Sequence, residues 1–261
     1  MSLEAREPVV VIPIAAHAVA AAHLARDPVG NVELLVSLLH DEDVTAWGAW
    51  RDGALAGVLV AGRQWERGPL TAAIEADDAG AYDALLAAVP VEATQFVVHR
   101  AERLPSLTAA LALALVPDDV LCYLTARSVA VPPSPAVRPL TEADAALIGA
   151  SATSWGDAGF ADALRHGYRV FGVVQGGRLV ARAMAAYDTG HTEEVAAVWT
   201  AHRWRGRGLA TAVVATVTAD ILARVRVATY AVNPGNLASL RVAAKAGFAL
   251  AHRVTTYQLL R

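Results

Sequence analysis

Residues 195–216 read V-A-A-V-W-T-A-H-R-W-R-G-R-G-L-A-T-A-V-V-A-T. An apolar run comes first, then a turn with three arginines and two glycines, and then a long run without Gly or Pro. This order predicts a β-strand, a glycine-rich turn and an α-helix that begins near Leu209. A strand that leads directly into a helix is typical of α/β proteins.

The turn has the composition of an anion site. Arg203, Gly206 and Gly208 form the pattern R-x-x-G-x-G directly before the predicted helix. Glycines allow backbone N–H groups to approach a ligand, and a helix N-terminus adds unpaired N–H groups and the positive end of its dipole. Because Arg205 and Arg207 contribute further positive charge, the segment predicts a site that suits a pyrophosphate.

Other phosphate-binding motifs fit this turn less well. The dinucleotide fingerprint G-x-G-x-x-G/A would place Thr211 at its third small position, and Asp220 comes too early for an acidic residue expected about 20 residues further on. A Walker A motif needs G-K-[ST], which is absent from the sequence. An RNA-binding Arg-Gly segment is normally repeated, whereas this one occurs once. A glycine-rich turn with solvated arginines and no ligand remains an alternative.

Two further motifs follow in a fixed order. Asn233–Pro234–Gly235–Asn236 and Ser239 form N-x-x-N-x-x-S after the next predicted strand, and Ala246–Gly247–Phe248 closes the next predicted helix. Together with V-W-T and R-x-x-G-x-G, this set resembles the GCN5-related N-acetyltransferase (GNAT) superfamily over residues 137–261. The similarity points to the branch with FR47-like and glycine-acyltransferase-like domains.

The resemblance implies transfer of an acyl group from acetyl-CoA, or another acyl-CoA, to an amine by direct attack. In such folds the R-x-x-G-x-G turn holds the pyrophosphate, the preceding strand pairs with the pantetheine arm, and the asparagines lie beside the cofactor. Carried over to this sequence, the cofactor-binding residues are Val198, Trp199, Thr200, Arg203, Arg205, Gly206, Arg207, Gly208, Leu209, Ala210, Asn233, Asn236 and Ser239.

The reaction needs a base, because a protonated amine with a pKa near 10 cannot attack a thioester. The resemblance implies a glutamate near the start of the strand before the turn, and Glu194 fits best. Strand alternation predicts that Glu194 shares a face with Val198 and Thr200, whereas Glu193 faces the other side. The alternatives are that both glutamates are solvated in a hairpin turn, or that His191 is the base.

The departing thiolate needs a proton or another form of stabilisation. Many family members use a tyrosine on the helix after N-x-x-N-x-x-S, but Ala243 occupies that position here. Tyr230 is the candidate acid, and Tyr257, Ser239 or a water molecule are alternatives. The missing tyrosine leaves open a second function, a catalytically weak or regulatory module that binds acyl-CoA.

The composition of the chain bounds its class. Of 261 residues, 55% are hydrophobic and 18% are charged, so the chain can bury a core and is not disordered. No apolar stretch reaches the roughly 20 residues of a spanning helix, so we expect a soluble, cytoplasmic protein with no membrane partner. A net charge of −3 predicts no nucleic-acid partner. The single cysteine, Cys122, excludes an intrachain disulfide, and the histidines show no metal-ligand spacing, so no metal is expected.

The order of predicted elements divides the chain in two. Residues 131–139 contain four prolines, and we take 131–136 as a linker. Residues 137–261 form the GNAT domain, and residues 1–130 show a fainter version of the same order without its motifs. The predicted fold class is therefore α/β with a mixed sheet, as a tandem of GNAT-like folds with a degenerate first copy. A generic alternation of strands and helices is the alternative.

The expected acceptor is an amine of a small molecule or a peptide. The protein is expected to be a monomer or a homodimer. Trp155, Asp157 and Phe160 lie on or beside the first two predicted helices of the second half. They are candidates for an acceptor pocket, or they pack the helix pair.

Overall fold

The computed structural model describes residues 8–63, 68–111, 114–149 and 156–260. The chain folds into two compact units, Met1–Val120 with Arg253–Arg261, and Leu121–His252. Each unit combines helices with a mixed sheet. The predicted fold class, a tandem of mixed α/β folds, is confirmed.

The first unit carries its helices on a mostly antiparallel sheet. Its strands are β1 (Val10–Pro13), β2 (Glu42–Arg51), β3 (Ala54–Arg63), β4 (Thr71–Ala76) and β5 (Gln95–Val98), and its helices are α1 (His17–Leu24), α2 (Val32–His40), α3 (Ala79–Leu86) and α4 (Leu104–Leu111). Strands β1 to β4 pair antiparallel in chain order, and β4 pairs parallel with β5. Alternating apolar residues bury one face against α3, where Leu59, Leu85 and Phe96 are almost fully buried.

The second unit repeats this plan with longer central elements. It contains the later part of β6 (Ala114–Ala126), then β7 (Arg138–Pro139), α5 (Ala145–Gly149), α6 (Gly156–Arg165), β8 (Arg169–Gln175), β9 (Arg178–Ala186), β10 (Thr192–Thr200), α7 (Leu209–Leu222), β11 (Val227–Val232), α8 (Leu237–Ala246) and the start of β12 (Ala249–Leu260). Within the unit the strand order is β6-β11-β10-β9-β8-β7. Strands β10 and β11 are parallel, and the other neighbouring strands of this unit pair antiparallel.

Helices cover both faces of the second sheet. Helix α7 packs on one face, where Val213, Val217 and Ile221 are fully buried. Phe160 of α6 is buried on the other face with Met184 and Leu179, which agrees with a packing role for this residue. Trp155 lies outside the described residues. Among the described residues, no helix combines the length and apolar character needed to cross a membrane.

In each unit one strand pairs with a partner that is distant in sequence. Cys122–Ala126 of β6 pairs antiparallel with β11, and Thr255–Gln258 of β12 pairs antiparallel with β5. The compact units therefore differ from the predicted domain bounds of 1–130 and 137–261, which place β6 in the first domain and β12 in the second. Because β-pairing joins residues far apart in sequence, local signals do not reveal it. The domain bounds themselves stay a prediction.

The apolar run of residues 104–115 divides between a helix and a strand. Helix α4 stops at Leu111, and β6 already begins at Ala114. This apolar run of Leu, Ala and Val has no periodicity that separates a helix from a buried strand. Thr141 and Asp144 form a capping box before α5, and the first turn is a 3-10 helix.

Candidate active site

Strand β10 contains a bulge next to the predicted site. Ala196 pairs with Met184 and Trp199 pairs with Arg182, so β10 has one residue more than β9 between these pairs. Ala197 takes up the extra length with a φ of +52°. A left-handed conformation costs a non-glycine residue about 1–3 kcal/mol, so the surrounding structure must hold it in place.

The Arg182 side chain supports this bulge. It is 4% exposed, and its Nη1 donates a hydrogen bond of 2.6 Å to the carbonyl oxygen of Ala197. Burial lowers the pKa of Arg182 to about 10, so the guanidinium stays charged at neutral pH. A hydrogen bond from a charged donor contributes about 1.5–3 kcal/mol, which is enough to offset the strain at Ala197.

The bulge changes which residues share a face with Glu194. Glu194 and Trp199 pair with residues of β9 that are four positions apart and therefore share one face. The prediction that Val198 and Thr200 lie on the face of Glu194 is wrong, because the extra residue shifts the alternation by one. Val198 instead packs against the core on the α7 side.

Glu193 has a structural role on the opposite face, as strand alternation predicts. It is 2% exposed and receives two hydrogen bonds from Arg169, of 2.8 and 3.0 Å. The same guanidinium also binds Asp220 of α7, at 2.6 Å. The interpretation of both glutamates as solvated turn residues is therefore wrong for Glu193, and this carboxylate is not available as a base.

Strands β10 and β11 separate next to the bulge. They pair in parallel over residues 192–194 and 227–229, and in the described chain this pairing does not continue along the rest of β10. The edge of β10 beyond Glu194 therefore faces a gap on the β11 side. Parallel strands that diverge in this way leave backbone N–H and C=O groups open to an extended ligand.

A cavity of about 440 Å³ extends from this edge to α7 and α8. It brings together most of the predicted cofactor-binding residues, namely Val198, Trp199, Thr200, Arg205, Gly206, Gly208, Leu209, Ala210, Asn236 and Ser239. Arg203, Arg207 and Asn233 lie outside its lining. The sequence reasoning missed Trp204, Thr211, Ala238, Arg241, Val242 and Lys245, which also line it. Of the α8 residues, only Val242 stands at helical spacing from a predicted residue, three positions after Ser239.

The glycine-rich turn has the backbone geometry of an anion site. Gly206 and Gly208 have φ values of +76° and +77°, and a Cβ placed on either would meet no atom within 4 Å. Gly208 is the N-cap of α7, so the N-terminal N–H groups of the helix begin beside the cavity. Arg205 donates from Nε to the carbonyl oxygen of Thr200 at 3.2 Å, which closes the turn.

Of the three predicted residues outside the lining, Arg207 and Asn233 have local contacts of their own. Arg207 places its guanidinium 4.7 Å from the centre of the Trp204 ring, and this tryptophan faces the cavity. The Asn233 side chain accepts a hydrogen bond from the N–H of Gly235 at 2.9 Å. Arg203 lies exposed in the 3-10 turn before Arg205. These contacts shape the turns beside the cavity.

Tyr230 and Ser239 connect β11 with α8. The Tyr230 hydroxyl lies 2.7 Å from Ser239 Oγ, and the tyrosine is 2% exposed. Burial raises the pKa of Tyr230, and the nearby Glu194 carboxylate raises it further. Ala243, where the family usually has a tyrosine, is fully buried in the same cluster. Tyr257 lies on β12 in the first unit, so this alternative acid is not part of the site.

A family model matches the part of the chain that contains this site. Residues 140–248 match the model of the Acetyltransferase (GNAT) family. The matched region contains the bulged strand, the R-x-x-G-x-G turn and α8. Proteins of this family transfer acyl groups from acyl-CoA to amines, with acetyl-CoA as the typical cosubstrate. The finer branch assignment stays a prediction.

Solved structures share the fold over nearly the whole chain. A Drosophila protein aligns over 97% of this chain and 99% of its own, with 13% identity and a TM-score of 0.66. A GNAT-family acetyltransferase from Colwellia psychrerythraea aligns over 96% and 99%, with 13% identity and a TM-score of 0.62. A tandem GNAT protein of the clavulanic acid pathway aligns over 95% and 97%, with 12% identity and a TM-score of 0.62. No curated protein matches the sequence.

Proposed function

We propose that the second unit transfers an acetyl or other acyl group from acyl-CoA to the amine of a small molecule or peptide, by direct attack. The observation that carries the proposal is the cavity that joins the open edge of β10 to the N-terminus of α7. The acceptor, the cytoplasmic location and the monomeric or homodimeric state stay predictions.

The residues of the cavity fit an acyl-CoA. The open space over Gly206 and Gly208 admits a pyrophosphate to within hydrogen-bond distance of the backbone, which any side chain there would obstruct. The edge of β10 at Val198 offers backbone groups to the amides of the pantetheine arm. Acyl-CoA supplies the activated carbonyl of the thioester, and the protein contributes binding, orientation and proton transfer.

Glu194 and Tyr230 take the two proton-transfer roles in this proposal. Glu194 accepts a proton from the ammonium form of the acceptor, directly or through water, so that the nitrogen lone pair can attack the thioester carbon. A carbon–nitrogen bond forms, the carbon–sulfur bond breaks, and the nitrogen releases its second proton to water as the amide forms. Tyr230, held by Ser239, supplies a proton to the departing sulfur. Its raised pKa favours the protonated form that this role needs.

Titration calorimetry with acetyl-CoA tests the binding step, and thiol release across a panel of amines tests the reaction. Glu194→Gln should lower turnover about 10²–10⁴-fold and leave acetyl-CoA affinity within about twofold, because the base touches the acceptor side. Glu142→Gln removes an exposed carboxylate in the 3-10 turn before α5 and is the matched control. An unchanged rate in Glu194→Gln would exclude this residue as the base.

Ala243 favours a second candidate function. A buried alanine at the position of the family's usual acid is consistent with a module that binds acyl-CoA without turning it over. Saturable binding of acetyl-CoA without thiol release from any amine would support the binding module. Thiol release that depends on both the amine and Glu194 would support the enzyme.

A further inference from the structure

Two cations on α8 face the cavity and have no role in the motifs described above. Arg241 and Lys245 line the cavity one helical turn apart, and both side chains are exposed. Neither forms an ion pair with any residue in the described part of the chain. Lys245 is also the single lysine of the sequence, in which the other basic residues are arginines.

The lining residues of α8 form one face of the helix. Ala238, Arg241, Val242 and Lys245 follow the spacing i, i+3, i+4 and i+7, which places them on a common stripe. This stripe begins at the second residue of α8 and extends for roughly 10 Å at the rise of an α-helix. The cavity therefore has positive charge on two separate elements, Arg205 on the glycine-rich turn and this pair on α8.

Helix stability alone does not account for both charges. Like charges at i and i+4 destabilise a helix by about 0.2–0.5 kcal/mol. A cation in the last turn is favourable for the helix dipole, and this explains Lys245 but not Arg241. An anion bound between the two side chains would convert their repulsion into attraction.

We propose that Arg241 and Lys245 bind the 3′-phosphate of the acyl-CoA and make the site selective for CoA over dephospho-CoA. This inference rests on the proposed function. The pyrophosphate already has partners in the N-terminus of α7, the open glycines and Arg205. A phosphate monoester carries a further charge of about −1.5 to −2 at neutral pH, and two cations outside the turn match it. Arginine and lysine are the usual partners of such groups.

Calorimetric titrations with acetyl-CoA and acetyl-dephospho-CoA measure this selectivity. The unmodified protein should bind acetyl-CoA at least about tenfold more tightly, as expected for charge-assisted hydrogen bonds at a partly exposed site. The double variant Arg241→Gln/Lys245→Gln should lose this preference and keep its affinity for the dephospho form. Arg178→Gln, in the exposed β8–β9 turn, changes the net charge away from the cavity and should keep the preference.

The possible outcomes separate this inference from the function on which it rests. Equal binding of both ligands by the unmodified protein, or equal weakening of both by the double variant, would overturn the role of the α8 pair and leave acyl-CoA binding intact. If neither ligand binds, the proposed function fails and this inference fails with it. Thermal unfolding of each variant verifies that the exposed substitutions preserve the fold.

Chemical labelling provides a second readout that does not depend on affinity. Because Lys245 carries the only ε-amine of the chain, an amine-reactive reagent and peptide mass spectrometry report on this residue alone. Each ligand is added separately at a saturating concentration. Acetyl-CoA should slow labelling of Lys245 severalfold, and acetyl-dephospho-CoA should not. Equal protection by both ligands would contradict contact with the 3′-phosphate.

Discussion

The helix that follows the first strand of the parallel pair begins differently in the two units. In the first unit α3 begins at Asp78, whose carboxylate accepts a hydrogen bond of 3.0 Å from the N–H of Ala81 and is held by Arg51. In the second unit α7 begins at Gly208, with open space over the turn and no side-chain cap. A side chain therefore caps the N-terminal N–H groups of the helix in the first unit, whereas no side chain caps them in the second.

The ends of the parallel strands differ in the same way. In the first unit Glu75 lies near the C-terminal end of β4 and belongs to an ion cluster. His99 Nε2 lies 3.0 Å from its carboxylate, and Arg100 donates two hydrogen bonds of 2.8 Å to it. In the second unit the corresponding part of β10 carries the bulge at Ala197 and borders the cavity. The end of β4 is therefore occupied by an ion cluster, whereas the corresponding edge of β10 is unpaired. The comparison explains why the acyl-CoA site is proposed in the second unit.

The largest effect, on acetyl-CoA affinity, is expected from a carboxylate placed in the turn before α7, since the first unit has Asp78 at the start of α3. Gly206→Glu should reduce acetyl-CoA affinity at least about 100-fold, because a negative charge would face the pyrophosphate and a side chain would be forced to positive φ. Calorimetry measures the loss. Gly176→Glu is the matched control, since Gly176 also has a positive φ and open space but lies in the β8–β9 turn. Equal loss of affinity in both variants would contradict a pyrophosphate at the turn.

Acid should destabilise the first unit through Glu75. Burial alone would raise the pKa of Glu75, but hydrogen bonds from His99 and Arg100 lower it to about 2. A depressed pKa contributes stability that is present above the unfolded value near 4.5 and is lost as the pH falls towards 2. The loss over this window is about 2 kcal/mol. Glu75→Gln should flatten the dependence of the unfolding free energy on pH between these values, and an unchanged slope would contradict the assignment.

The smallest effect, on the free energy of unfolding, is expected from removing the Asp78 N-cap of α3. The hydrogen bond from Arg51 holds the pKa of Asp78 well below its usual range, so the carboxylate caps α3 at all ordinary pH values. Asp78→Ala should destabilise the protein by about 1 kcal/mol in denaturant unfolding, because the N-cap is lost and Arg51 loses its partner. Asp83→Ala, later on the same helix, is the control and should cost less than about half as much. Equal effects would show that Asp78 is not a cap.

Short-range features of the site were predictable because they depend on neighbours within one turn. The positive φ at Gly206 and Gly208, the N-cap at Asn236 and the end of α8 at Gly247 all follow from the residue types and their spacing. The same holds for the capping box before α5. The motif order was specific enough to indicate the GNAT family, which the match over residues 140–248 confirms.

Features that depend on a second strand or helix were not predictable. The face of Trp199 follows from the bulge at Ala197, and Arg182 on the adjacent strand supports that bulge. The ion pair of Glu193 requires Arg169 from another strand. Strand alternation assumes regular pairing, and a single extra residue reverses the faces beyond it.

The amino-acid sequence alone predicts the glycine-rich turn and the positive charge beside it, because these features depend on a short segment with restricted backbone conformations. The tertiary structure is needed to see which strands belong to each unit and that Glu193 forms an ion pair with Arg169. It is also needed to see that Arg241 and Lys245 face the cavity. The physical reason is the range of the interactions. Capping and turn formation act within a few residues, whereas strand pairing and helix packing join segments that the order of residues does not place together.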